Sequence, residues 1–403
     1  MAQPRPIPTS AITTKEAPIL AIKGDRLAGL DGLRGLAILL VLMNNMYDGP
    51  ASQRLDGVVL HAFKSGYVGV DLFFVLSGFL ITGILYSTRG DDRYFRNFYA
   101  RRFLRIFPLY YGFLALWLFL VPRLGVFTNA EAHALSERQW WYWTYLANVN
   151  VGLELGPAGA EPRHFWSLAV EEQFYLVWPL IVAVASRRRL IQICAGLVAA
   201  AALLRTFWLY LAPTQLTHQL VYTLTAARMD SLALGALVAL LIRSVRGRET
   251  LLRWAPRVGI AGCAVLGAIF VWQRGLRGAW FSAVGFTVVA LVAASAIVLS
   301  VTRPDDAGIN RVLAWPLLRR LGQYSYGIYV LHGSLFAVAV RLGLPHELAL
   351  LFGSPLAAAL GRWLVLALAS VGLAALSWHA YEVHWLRLKR FFPYARRVVP
   401  PPP

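Results

Sequence analysis

Charge is scarce in this chain, and acidic charge is scarcest. Asp, Glu, Lys and Arg make up 15% of its 403 residues, against about 25% in an ordinary soluble domain. With 58% hydrophobic residues there is too little polar surface to clothe a water-soluble globule, so the composition implies a membrane protein. Only 20 acidic residues face 39 basic ones, for a net charge of +19. On a soluble chain that excess would suggest nucleic acid. Here the basic residues fall between apolar runs, so topology accounts for most of them and no nucleic-acid partner is expected. There are two cysteines, Cys194 and Cys263, both inside apolar runs. They exclude a disulfide framework and read as small buried hydrophobes. The first 26 residues are polar and Pro-rich, with no apolar core before a cleavage site, so no signal peptide is read there. Metal-ligand spacing, a P-loop, a dinucleotide fingerprint and a Gly-x-Ser-x-Gly elbow are all missing, and no metal is expected.

What is present is a series of ten apolar runs, at roughly 35–50, 67–86, 104–122, 166–186, 190–211, 225–242, 258–273, 280–301, 322–342 and 358–380. Each is near the ~20 residues a helix needs to cross a bilayer. The expected fold is an all-α integral membrane protein of about ten transmembrane helices. If the N-terminus is cytoplasmic, the loops and tails on that side hold 28 Lys and Arg and the opposite loops hold 10. That asymmetry puts both termini in the cytoplasm. The expected organisation is a flexible tail over 1–30, a transmembrane domain over 31–386 and a basic, Pro-rich tail over 387–403. The longest outer segment, about 123–165, contains QWWYWTYLANVN, from Gln139 to Asn150. It reads either as an interfacial aromatic belt or as a stacking platform for sugar rings.

Five stretches carry polar groups that a bilayer would penalise. FYARRFLRIFPLYY, Phe98 to Tyr111, gathers Arg101, Arg102 and Arg105 at the start of an apolar helix. Such a cluster is a topology anchor or a cradle for phosphate, which the guanidinium fork binds bidentately. LDGLRGLAILLVLMNNMYDG places Asp31 and Arg34 one turn apart and Asn45 roughly 16 Å deeper. Asn44 and Asn45 need partners there, as bundle glue or as a site. GYVGVDLFFVLSGFLIT carries Asp71, a functional carboxylate or half of a structural ion pair. Its Ser77-Gly78 reads as a close-packing point. HFWSLAVEEQFYLVWP holds His164, Trp166, Glu171 and Glu172 at a helix entrance, suited to acid–base work or to holding substrate hydroxyls. YSYGIYVLH sets His332 among Tyr324, Tyr326 and Tyr329. Nearer the end, Glu382 is expected to pair with Arg387 or a neighbouring basic residue.

Taken in order, LDGLRG, GVDLFFVLSGFLIT, FYARRFLRIFPLYY, WSLAVEEQFYL and YSYGIYVLH resemble acyltransferase family three, the multi-pass membrane O-acyltransferases of bacteria. The resemblance covers about 35–335 and extends weakly to Glu382. It implies an inner-membrane enzyme with an acyl-coenzyme A donor, acetyl-CoA above all. The acceptor would be a hydroxyl on an envelope glycan, a lipid-linked saccharide or a small secondary metabolite. No hydrolase-like domain is expected after the membrane domain, unlike some members. Arg101, Arg102 and Arg105 would hold the donor's phosphates, and Arg34 would orient the donor. Asp71, His164, Trp166 and Glu171 would order the acceptor, with Glu172 supporting. In the family a catalytic His follows the first-helix Arg after ten intervening residues; that position is Asn45 here. An amide cannot take a proton at physiological pH. The chain is therefore a variant inactivated at position 45, an enzyme using another base such as His332, His164 or Glu171, or a non-catalytic binder or transporter.

Overall fold

A computed structural model describes residues 26–47, 54–155, 160–273, 275–276, 278–303, 308–343 and 354–394. The outer parts of both predicted tails, 1–25 and 395–403, lie outside these residues. Among the described residues every regular element is helical. The helices are α1 (Arg26–Met46), α2 (Arg54–Lys64), α3 (Gly69–Thr88), α4 (Tyr94–Ala115), α5 (Asn129–Trp143), α6 (Ala147–Gly152), α7 (Trp166–Val184), α8 (Arg187–Leu211), α9 (Gln215–Thr223), α10 (Thr225–Leu241), α11 (Val245–Gln273), α12 (Phe286–Thr302), α13 (Ile309–Leu313), α14 (Pro316–Arg341), α15 (Pro355–Ser377) and α16 (Val383–Arg387). The chain is an all-α integral membrane protein.

Eight helical stretches among the described residues are long and apolar enough to cross a bilayer. Two of the ten expected crossings, 35–50 and 322–342, correspond to α1 and α14 and are not among these eight. Their 21 and 26 residues are long enough, at about 32 and 39 Å. They carry Asn44, Asn45, Tyr326 and His332 instead of aliphatic residues, and the two helices pack on each other inside the bundle. Helices also start earlier than the apolar runs: α4 at Tyr94 and α11 at Val245. Apolarity marks the lipid-embedded part, while the helical backbone continues into its basic end. For the same reason residues 26–30, expected in a tail, open α1. Residues 387–394 are not tail either. A 3-10 turn over Leu388–Phe391 follows α16, and the carbonyl of Pro393 accepts from Asn97 at 2.8 Å.

Aliphatic residues exposed on α7, α8, α11 and α15 form the lipid-facing surface, among them Val184, Leu203, Val271 and Leu376. Inside, small residues let backbones meet. A Cβ on Gly78 of α3 would strike the Leu232 carbonyl of α10, and one on Gly235 of α10 would strike the Val75 carbonyl of α3. Two fully buried ion pairs tie α10 to its neighbours, one to α3 and one to α8. Arg228 donates to Asp71 at 2.5 Å, and Arg205 to Asp230 at 2.8 Å. Ser231 also donates to Asp71, and the Arg228 guanidinium lies 3.8 Å from the Phe286 ring centre. Intramembrane charges that pair in this way hold helices in register.

Glu382 does not pair with Arg387. Arg387 is five residues on and off its face, and the π turn over Trp378–Glu382 directs the carboxylate to Arg105 of α4 at 3.9 Å. The Gly78 crossing yields a test. Gly78→Leu should lower stability by about 1–3 kcal/mol through overpacking. Gly196→Leu, at an open position, should stay within about 0.5 kcal/mol. Thermal unfolding in detergent measures both, and equal midpoints would contradict the packing account.

Candidate active site: a basic cavity joined to an outer polar cavity

Three cavities lie in series through the bundle. The first, about 670 Å³, opens between the N-terminal halves of α1, α4 and α14 and the C-terminal segment. Arg34, Arg101, Arg102, Arg105, Arg319, Arg320 and Lys389 line it, and Asp31 is its one acid among the described residues. Arg34 lies 3.5 Å from Asp31. Arg102 makes no ion pair among the described residues and stacks 5.2 Å from the Tyr175 ring centre. Arg101 differs from its neighbours. Its Nη1 donates to the carbonyls of Lys389 and Phe392 at 3.0 and 3.1 Å, and its guanidinium lies over Tyr394. It binds the C-terminal segment as a wall of the cavity. Arg319 and Arg320 were missed in the sequence reading, although an Arg pair just ahead of GQYSYGIYVLH was visible.

The second cavity is a neck of about 100 Å³. It shares Arg34, Arg102 and Arg105 with the basic cavity, and Val70 and Tyr329 with the third. Phe73 and Phe74 supply apolar wall. Its acid among the described residues is Glu171, whose carboxylate accepts from Ser77 at 2.7 Å and from Tyr175 at 3.1 Å. Ser77 is therefore a ligand of Glu171, while Gly78 next to it makes the helix contact. Glu172, one residue on, faces away from the neck, and its Oε1 is buried without a hydrogen bond. Asp71 reaches none of the cavities, its carboxylate being held by Arg228 and Ser231.

The third cavity, about 1000 Å³, lies at the far end of α1. Asn44, Asn45, His164 and Trp166 line it, together with Gln215, His218, Gln219 and Tyr222 from α9 and its C-terminal turn. That helix was not anticipated; the polar run TQLTHQ between apolar segments was its signal. In its wall Asn44 donates to Asn45 Oδ1 at 2.5 Å, and Asn45 Nδ2 donates to His332 Nε2 at 2.8 Å. His332 itself is buried behind Asn45. QWWYWTYLANVN forms no sugar platform over this cavity. Tyr142 and Tyr145 are buried, Trp143 stacks on Tyr111 at 5.6 Å, and the Tyr145 carbonyl accepts from Gln173 at 2.9 Å. On the rim, α5 begins with a capping box between Thr128 and Glu131, and Arg341 of α14 donates to Glu131 at 2.7 Å. The Thr128 backbone N–H, with Arg341, holds the Glu131 carboxyl below the usual carboxylate range.

This arrangement is that of a multi-pass membrane protein with a route from a cationic mouth to a polar cavity at the other end. The chain belongs to the acyltransferase domain family, whose profile matches residues 27–382. It is 29% identical over 322 residues to the putative peptidoglycan O-acetyltransferase YrhL of Bacillus subtilis, covering 75% of this chain and 48% of that one. It is 30% identical over 327 residues to the peptidoglycan O-acetyltransferase OatA of Listeria monocytogenes, again with 75% and 48% covered. With the O-acetyltransferase OatA of Staphylococcus aureus the identity is 28% over 321 residues, with 76% and 50% covered. The chain thus spans about half the length of these relatives. No solved structure matches it.

The geometry ranks the arginines. Arg102→Ala and Arg319→Ala should each weaken binding of pyrophosphate about 10- to 100-fold, since a charge-assisted hydrogen bond contributes about 1.5–3 kcal/mol. Arg101→Ala should act mainly by loosening the C-terminal segment. Calorimetry in detergent checks this, and pyrophosphate affinity unchanged in Arg102→Ala and Arg319→Ala would leave the cluster a topology anchor.

Proposed function

We propose that this chain is a membrane O-acyltransferase. It moves an acyl group, acetyl in the first instance, from acyl-coenzyme A to a hydroxyl of an envelope glycan such as peptidoglycan or a lipid-linked saccharide. The observation that carries this reading is the continuity of the three cavities. A donor with several phosphates at one end and a long neutral arm at the other fits a basic mouth followed by a narrow neck lined by Phe73, Phe74 and Leu76 and by the hydroxyls of Ser77, Ser167 and Tyr326. Arg34, Arg102, Arg319 and Arg320 would hold the phosphates by charge-assisted hydrogen bonds, and Arg101 would fix the wall beside them. Arg34, which lines both mouth and neck, would orient the arm. The thioester would emerge past Tyr329 next to Asn45 and His164. The names of the relatives support the acetyl group and the glycan, and the outer cavity suits the glycan. Its Trp166 and Tyr222 rings offer faces for sugar, and Gln215, Gln219 and Asn44 offer donors and acceptors for hydroxyls.

In this reading the basic mouth is cytoplasmic, where coenzyme A is made, and the outer cavity faces the envelope across a bacterial inner membrane. Both termini are then cytoplasmic, as the charge asymmetry implies. The route lets donor and acceptor meet without either crossing the bilayer.

A second reading follows from Asn45. If the proton must be taken at position 45, the chain binds acyl donor without turning it over. Asn45→His then restores a base, a contribution of typically about 10²–10⁴-fold. Both readings are tested by incubating the purified protein with acetyl-coenzyme A and soluble uncrosslinked peptidoglycan strands, and measuring acetyl ester by mass spectrometry. Transfer by the native chain supports the enzyme. A silent native chain that gains activity with Asn45→His supports the inactivated variant. Silence from both would remove the acyltransferase reading for this acceptor.

A further inference from the structure

We propose that His164 is the general base of this chain, standing in for the imidazole absent at position 45. The inference rests on the acyl-transfer reading above and adds the group that takes the proton. It comes from comparing the histidines around the outer cavity. His332 has both ring nitrogens engaged. Nδ1 faces the carbonyls of Ile328 and Tyr329 at 3.1 and 2.8 Å, so it carries the hydrogen. Nε2 then presents its lone pair, and that lone pair accepts from the Asn45 amide. The amide is fixed in that direction because its oxygen accepts from Asn44. Protonating His332 would set two donors against each other. His332 is thus a neutral partner that holds Asn45 in place.

His164 has the complementary arrangement. Its Nε2 faces the Val330 carbonyl at 3.3 Å, which can only accept, so Nε2 carries the hydrogen and Nδ1 keeps a free lone pair. The Tyr329 carbonyl is a second backbone acceptor beside the ring, and no side chain bonds Nδ1 among the described residues. Nδ1 lies against Gly333, where an added Cβ would come 2.6 Å from it. His164 and Gly333 both line the outer cavity, and the absent side chain leaves Nδ1 its clearance. His164 also stands at the mouth of the neck. Tyr329, shared by neck and outer cavity, donates to the His164 carbonyl at 2.8 Å. His218 lines the same cavity, but its Nδ1 pairs with Ser282 at 3.1 Å and it does not border the neck.

The step balances with the acyl thioester as co-reactant. The acceptor oxygen attacks the thioester carbonyl carbon while its proton passes to His164 Nδ1. The Val330 carbonyl, already accepting from Nε2, stabilises the imidazolium. The carbon–oxygen bond forms, the carbon–sulfur bond breaks, and the departing thiolate takes the proton back from Nδ1. The products are an ester and free coenzyme A, and His164 returns to neutral.

Two measurements on the full chain test this. In the transfer assay, His164→Gln should lower ester formation by about 10²–10⁴-fold. Coenzyme A affinity by calorimetry should stay within about twofold of native, which also reports folding. Gly333→Ala, which sets a methyl group against Nδ1, should lower transfer as well. Native-level transfer by His164→Gln would overturn the proposal. A native chain with no transfer to this acceptor marks failure of the acyl-transfer reading instead, and the second measurement then decides. Diethylpyrocarbonate attacks a free imidazole lone pair. Peptide mapping by mass spectrometry should show His164 modified well before His332 in the native protein, and more slowly in Gly333→Ala. His332 reacting first, or His164 reacting at the same rate with and without the methyl, would show that Nδ1 is not the open base.

Discussion

A charge inside a lipid-embedded bundle must be paired or must face water, and that constraint organises this molecule. Isolated, such a charge is too costly to keep. The chain answers in two ways. Where α10 meets α3 and α8, Asp71, Arg228, Arg205 and Asp230 are fully buried and neutralise one another. Along the axis of α1 and α14 the basic groups outnumber their acid partners Asp31, Glu382 and Glu131 among the described residues, and cavities open there. Seven basic groups against one acid at the mouth make sense where an anion completes the balance. The first group holds the fold, and the second calls for a ligand.

This division explains what was legible in the sequence. Apolar runs identified the membrane class, and Arg101, Arg102, Arg105, Arg34, Asn45, His164 and Glu171 do come to one continuous route. Local sequence could not assign Asp71, because its partner Arg228 is 157 positions away and nothing in a run of residues links the two. Nor could it separate Arg101 from Arg102. Adjacent on one helix, they diverge because the C-terminal segment returns to place the Lys389 and Phe392 carbonyls against the first. The α1 and α14 helices looked like ordinary crossings, although they are the polar axis of the site. The surrounding helices supply the apolar surface that lets these two be polar.

Position 45 shows how one side chain resets its neighbours. An amide can donate and accept at once, so Asn45 links Asn44 to His332 and uses the free lone pair of that histidine. An asparagine at position 45 supplies no base and also occupies the lone pair of His332. In the proposed mechanism His164, whose Nε2 faces the Val330 carbonyl, supplies the base instead.

The central claim is that donor and acceptor approach from opposite faces of the membrane. The most direct test uses proteoliposomes in which the protein has one orientation, established by impermeant labelling of Glu137→Cys or Asp92→Cys. Radiolabelled acetyl-coenzyme A is supplied only on the side of Asp92, with peptidoglycan strands present in turn on either side. The account predicts labelled ester only on strands on the side of Glu137. Label appearing only on strands that share the donor's compartment would contradict it.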